Sequence, residues 1–314
     1  MLIDLVPEFL AALTAPDPLQ AYHRYVDSHR SILSAYWHNY VLDLDSPHAE
    51  SVILRALAAQ RRDLHQLIER VDLAALADET LARSHEVLEI DRPAELYLMV
   101  GVGAANAGEL VVNGQGAAFI CVEHFTGRPN PDTYGMGLAP EQMEVWIAHE
   151  LAHAVRYTSP ASRSEFPRII QESNGFYDYW DSGSRATLRE LLVNEGLAVA
   201  AAQAVAPGHD PWVYLGYSRR QYRRMRELDA FLRRAVDQEL GHTGLGYRLR
   251  YLSGGMSPTA RLVGGKVIPE RSGYYLGWRM AEALVNQVGV GQALRASALE
   301  CQEAEERATG VQSA

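Results

Sequence analysis

The residues best equipped for chemistry are His149, Glu150 and His153, in the run Ile147-Ala148-His149-Glu150-Leu151-Ala152-His153-Ala154. On a helix, residues four apart stand one above the other, so this HExxH spacing aims two imidazoles at one point. That is a metal-ligand spacing. Glu150 is turned by ~100° from His149, which sets its carboxylate to act on a water at the metal instead of on the metal itself. Pro140 suits a first helical position, Glu141 and Glu144 suit the positive end of the helix dipole, and an apolar run follows, so the motif is expected mid-helix. Two imidazoles packed in an apolar helix without partners would leave buried polar atoms unsatisfied, which favours a metal over an inert core.

Catalytic zinc usually takes three protein ligands and keeps a fourth position for water. Residues 185 to 206 read as a second helix, and with Glu195 as the reference angle the side chains of Leu188, Leu191, Leu192, Ala198, Val199 and Ala202 fall on its side of the helix. Arg189 and Glu190 are expected on the far side. A carboxylate in an apolar stripe needs a compensating cation, and zinc supplies one. The rival ligand is Glu172, which follows His153 after eighteen residues, a gap found in HExxH aminopeptidases. Its surroundings lack a helical stripe. Inserted loops change spacing freely, whereas a ligand must project from a rigid buried element, so Glu195 is preferred.

His149-Glu150-Leu151-Ala152-His153 together with Asn194-Glu195-Gly196-Leu197-Ala198 resembles the gluzincin pattern, HExxH followed by a helix carrying an NEGLA-type Glu. A later segment, Gly273-Tyr274-Tyr275-Leu276-Gly277, resembles the Gly-Tyr-x-x-Gly stretch of a domain-of-unknown-function family of Zn-dependent proteases. The resemblance covers roughly residues 95 to 290. It implies a zincin-like α+β fold, peptidase chemistry, and Tyr274 as a donor to the oxyanion, with Tyr275 or His242 as substitutes. It also implies that the strand running from 117 to 125 lies at the sheet edge and pairs with an extended substrate.

Composition sets the remaining bounds. At 314 residues and 47% hydrophobic content the chain can bury a large core. A net charge of -10 argues against nucleic acid or an anionic membrane as main partner. Cys121 and Cys301 are too few for a disulfide framework, the N-terminus has an acidic residue where a signal peptide needs positive charge, and the uncharged runs fall short of the ~18 apolar residues of a membrane span. A cytoplasmic protein is expected.

Residues 1–92 read as helices, with Asp17-Pro18 and Ser46-Pro47 as starts. From Pro93 the character changes to strands over 95 to 103, 108 to 113 and 116 to 125, with Asn113-Gly114 as a hairpin turn. The segment 101 to 106 half-resembles a dinucleotide loop, but Asn106 stands where a third glycine is needed. The arginines between 219 and 234 interleave with Tyr222, Met225, Leu228 and Leu232 at helical spacing and form a solvated helix face.

These observations predict a helical N-terminal portion over 1–92, a zincin-like catalytic domain over 93–300 and a polar tail over 301–314. They predict a zinc-dependent peptidase: His149, His153 and Glu195 hold Zn2+, Glu150 is the general base on zinc-bound water, and the partner is a peptide or protein substrate. A non-catalytic zinc-containing interaction or regulatory protein, and a zinc hydrolase of a non-peptide amide, are the alternatives; the intact Glu150 argues against the first.

Overall fold

Asn113 and Gly114 reverse the chain with φ of 53° and 75°, a left-handed pair that a two-residue hairpin requires and that Asn-Gly adopts at little cost. The reversal joins strand β3 (Ala107–Val112) to β4 (Gln115–Cys121) in antiparallel register, Leu110 opposite Ala117. β2 (Glu95–Met99) adds parallel to β4, and β1 (Leu2–Asp4) adds parallel to β2. The order is therefore β1-β2-β4-β3. β4 is paired on both edges, so the expectation that it receives substrate is wrong. The edge strands are β1 and β3, the latter because the hairpin folds it outside β4.

The structure, a computed structural model, describes residues 1–310. Between β1 and β2 run helices α1 (Val6–Leu13), α2 (Pro18–Ser28), α3 (Arg30–Tyr40), α4 (Ala49–Ala58), α5 (Arg62–Arg70) and α6 (Leu73–Val87). Asp17 caps α2 as expected, accepting from the Gln20 N–H at 3.0 Å. The long periodic stretches break at His29 and Arg61, where the backbone leaves helical angles. Ser46-Pro47 forms a turn ahead of α4 instead of its cap. β1 belongs to the main sheet, so the N-terminal helices begin and end at strands of that sheet.

After the sheet come α7 (Met143–Thr158), α8 (Phe166–Glu172), α9 (Tyr179–Arg185), α10 (Leu188–Val205), α11 (Pro211–Tyr214), α12 (Arg219–Asp237) and α13 (Leu245–Leu252). The two-residue strands β5 (Leu262–Val263) and β6 (Lys266–Val267) precede α14 (Ser272–Val288), α15 (Val290–Ala293) and α16 (Ala298–Thr309). The result is a mixed, mostly helical α+β arrangement. α12 has the expected amphipathic form, with Met225, Leu232 and Val236 buried. Residues 301 to 309, expected as a polar tail, continue α16 and bury Cys301 and Ala304; the tail at 311–314 lies outside the described residues. No helix among the described residues is long and apolar enough to cross a membrane.

α7 and α10 are buried nearly all round, α7 between the sheet and α10. A one-sided stripe predicts that Glu190 faces away, yet it is buried and paired with the fully buried Arg156 of α7. The Arg156 guanidinium also donates at 3.0 Å to the carbonyls of Leu294 and Ala296. Ion pairs so deep are costly to break from one side, about 3–5 kcal/mol. Arg156 and Glu190 thus clamp together the two helices that carry the candidate ligands.

Candidate metal centre

α7 presents His149 and His153 on one face, and α10 crosses it with Glu195 opposite. Glu195 Oε2 stands 3.3 Å from His149 Nε2 and 3.7 Å from His153 Nε2. All three side chains are buried. Glu172, the rival ligand, is on the surface at the end of α8, paired with Arg168 and Arg185. The buried environment of α10 was therefore a better guide to convergence than spacing in the sequence.

The donor set fits zinc. With Zn–N and Zn–O bonds of about 2.0–2.2 Å in a tetrahedral shell, two ligand atoms stand about 3.3–3.6 Å apart, close to both separations. The cluster meets the second requirement too, because a buried carboxylate between two imidazoles calls for positive charge. Burial opposes a charge on His153, but Glu195 and Glu109 outweigh it and raise the imidazole to about 9. Burial likewise opposes ionisation of Glu195, and the two imidazoles overcome it and hold the carboxyl far below its usual range. A cation can take the place of that proton.

Metal-bound histidines commonly donate their other ring nitrogen to a carboxylate or carbonyl; among the described residues no such partner meets these two rings. His149 Nδ1 and His153 Nδ1 are buried without a partner. Ring packing orients them instead: Trp146 and Tyr274 lie 5.5 Å and 6.2 Å from His149, and Tyr157 lies 5.8 Å from His153.

Glu150 is buried one residue along from His149. Burial, then the Glu109 carboxylate, drive its pKa well above the ordinary value. Glu109 of β3 is the residue sequence reasoning missed. Oxygens of Glu109 and Glu150 and a nitrogen of His153 lie within 4.8 Å of one another. Glu109 is held by two phenols, Tyr40 donating to Oε2 at 2.8 Å and Tyr157 to Oε1 at 3.2 Å. Asn194 in turn donates to the Tyr157 hydroxyl at 3.1 Å, which gives the residue before Glu195 its task. A carboxylate inside a strand of otherwise apolar residues, Ala-Gly-Glu-Leu-Val-Val, was the available signal.

Tyr40, Glu109, Glu150 and the three candidate ligands line a cleft of 240 Å³ that also takes in residues 104 to 107, Arg248, Arg271 and Tyr274. Tyr274 faces it beside His149, under the Arg271 guanidinium at 4.4 Å. Neither substitute does: Tyr275 donates to Asp229 at 3.0 Å, and His242 is exposed against Tyr247.

Residues 176–303 match a family described as Predicted Zn-dependent protease (DUF2268). This stretch is similar to a family of predicted Zn-dependent proteases. The matched segment contains Glu195 and Tyr274 and begins after the HExxH pair, so the family likeness and the α7 motif are separate observations that meet in one cleft. No curated protein and no solved structure matches the chain significantly.

Proposed function

We propose that the chain is a zinc-dependent peptidase of gluzincin type with a zincin-like catalytic core, in which His149, His153 and Glu195 hold the metal. The observation that carries this reading is the convergence of two imidazoles and a carboxylate, at tetrahedral-edge separations, beside the unligated carboxylate of Glu150.

Bound there, zinc supplies a Lewis acid that polarises a carbonyl and makes water more acidic. The protein's own groups do the rest. The Glu150 carboxylate accepts the proton of the attacking water and returns it to the leaving amine. Tyr274 is placed to donate a hydrogen bond to the developing oxyanion. Trp146, Tyr157 and Tyr274 keep the imidazole planes in position, and burial keeps bulk water from screening these charges.

Metal analysis combined with a peptide-library digest tests the reading. The wild-type protein is expected to carry zinc and to cut peptides in a chelator-sensitive manner. Glu150→Gln is expected to keep the zinc and lose 10²–10⁴-fold in rate, roughly the worth of a general base, while His149→Ala loses metal and activity together. A protein that holds zinc and cuts no peptide would instead favour a zinc-containing interaction module.

A further inference from the structure

The edge of β3 beside the metal cluster is occupied over half its length by the protein itself. The Tyr40 hydroxyl accepts from the Glu109 N–H at 3.1 Å and stands 3.0 Å from the Glu109 carbonyl, the two backbone groups that point away from β4. Two residues on, the Tyr177 N–H donates to the Val111 carbonyl at 2.9 Å. These stoppers are fixed. Asn39 donates to the Tyr177 carbonyl at 3.1 Å and accepts from the Tyr179 N–H at 2.6 Å, and Arg248 donates to the Tyr179 carbonyl at 2.9 Å while lying 3.5 Å over that ring. The Tyr40 ring is so close to the strand that a Cβ on Gly108 would meet it at 2.5 Å.

The other end of the same edge is open. Outward-facing groups recur every second residue on an antiparallel strand, so Ala107 faces the same way as Glu109 and Val111, and residues 104 to 107 line the cleft. Past Asn106, Trp146 and Arg271, which border both spaces, lies a second cavity of 360 Å³ walled by Met136, Leu138 and Trp212. Along the edge of β3, a bound chain therefore has room at the Ala107 end and not at the Val111 end. The cleft is also smaller than the ~300–1,000 Å³ of a typical small-molecule site.

Polarity follows from β3. The strand runs from the open end to the closed end, and a chain added antiparallel, the commoner pairing, begins at the closed end. Its first group is then an α-ammonium beside the carboxylates of Glu109 and Glu150, with the rest of the chain leaving past Asn106 toward the second cavity, where Gln142, Ser218 and Arg219 stand beside the apolar side chains. Arg248 stands at the closed end as well; two of its five donors go to Tyr179 O and Tyr177 Oη, and a carboxylate held by the remaining ones would mark the reverse polarity, which release from the carboxyl end would reveal.

We infer that Tyr40 and the 177 to 179 segment close the cleft beyond Glu109, so that the protein removes residues from the free amino terminus of peptides and does not cut within them. The inference rests on the peptidase reading above. The test is a set of hexapeptides of one apolar sequence with the amino terminus free or acetylated and the carboxyl terminus free or amidated. Products of the zinc-loaded protein are followed by mass spectrometry, and affinity for Glu150→Gln by calorimetry. Stepwise release from the amino end is expected, with acetylation lowering kcat/KM and affinity at least tenfold and amidation changing neither. Glu109→Gln should shrink the ratio of kcat/KM for the free-amine peptide over the acetylated one at least tenfold, a ratio in which any effect of Glu109 on Glu150 is common to both peptides and cancels. Internal cuts, equal treatment of acetylated peptides, or release from the carboxyl end would overturn the inference and leave the peptidase reading standing. No cleavage of any of them, with equal affinity for all, would overturn both.

Discussion

Gly196 of α10 and Gly277 of α14 stand backbone against backbone. A Cβ on Gly196 would lie 1.9 Å from the Gly277 carbonyl carbon, and one on Gly277 would lie 1.7 Å from the Leu192 carbonyl oxygen. Gly273, one turn earlier on α14, has Leu192 and Leu252 methyls where its own Cβ would be. The glycines of the two motifs are thus contact points between helices. They set the depth at which Glu195, next to Gly196, and Tyr274, next to Gly273, reach the cleft.

Gly277→Ala should therefore be more damaging than an ordinary overpacking change, which costs about 1–3 kcal/mol, because the obstacle is backbone with no rotamer to yield. Thermal unfolding should show a lower Tm, and metal affinity should fall with it as α10 moves. Unchanged Tm and zinc content would mean that the two helices are free to separate without disturbing Glu195.

The choice of third ligand is open to a direct comparison. Glu195→Ala should release zinc and lower stability, since binding energy at such a site is linked to folding. Glu172→Ala removes an exposed partner of Arg168 and Arg185 and should leave zinc content unaltered. Metal titration of both variants decides it, and the reverse outcome would transfer the role to Glu172.

Tyr274→Phe should leave zinc content and Tm close to wild type and reduce kcat by roughly 10²–10³, the worth of one oxyanion donor. Steady-state kinetics on a cleaved peptide gives the value. Unaltered kcat would reduce Tyr274 to a packing partner of His149 and Arg271.

Glu123 and His124 predict opposite pH slopes. Burial raises the Glu123 carboxyl from 4.5 to about 7 against the attraction of Arg61, and burial lowers His124 from 6.5 to about 4. The folded state keeps a proton on Glu123 that the unfolded chain sheds, so that residue's contribution is full below pH ~4.5 and is lost as pH rises through ~7. His124 acts the other way: its stability is present above pH ~6.5 and is lost as pH falls toward ~4. Glu123→Gln removes only the first slope. Its stability relative to wild type should therefore rise by up to about 3 kcal/mol between pH 4.5 and 7, taking ~1.36 kcal/mol per pKa unit. Urea unfolding across a pH series measures it; a difference independent of pH would mean that folded Glu123 is already ionised at pH 4.5.

Several features were legible from local chemistry because they depend on residues near one another in the chain. The HExxH pair needs only helical spacing, the Asn113-Gly114 hairpin needs only a left-handed turn, and the Asp17 cap needs only a side chain within three residues of the N–H it satisfies. Glu195 was legible for a related reason, since a carboxylate in an apolar stripe is anomalous without a cation.

What lay beyond the sequence depends on which element packs against which. Helical periodicity reports one buried face, so it placed Glu190 outside, whereas α10 is enclosed on all sides and Glu190 meets Arg156. Strand pattern carries no record of strand order, so β4 was taken for the edge that β3 occupies. Glu109 looked like one polar residue in a strand until the Tyr40 and Tyr157 hydroxyls, far away in the chain, came to its carboxylate. The sequence by itself determined the ligands available to a metal and the helices that bear them. Only the tertiary structure decided the shape of the cleft and its closed end, because those arise from contacts between segments whose separation in the chain leaves no local signal.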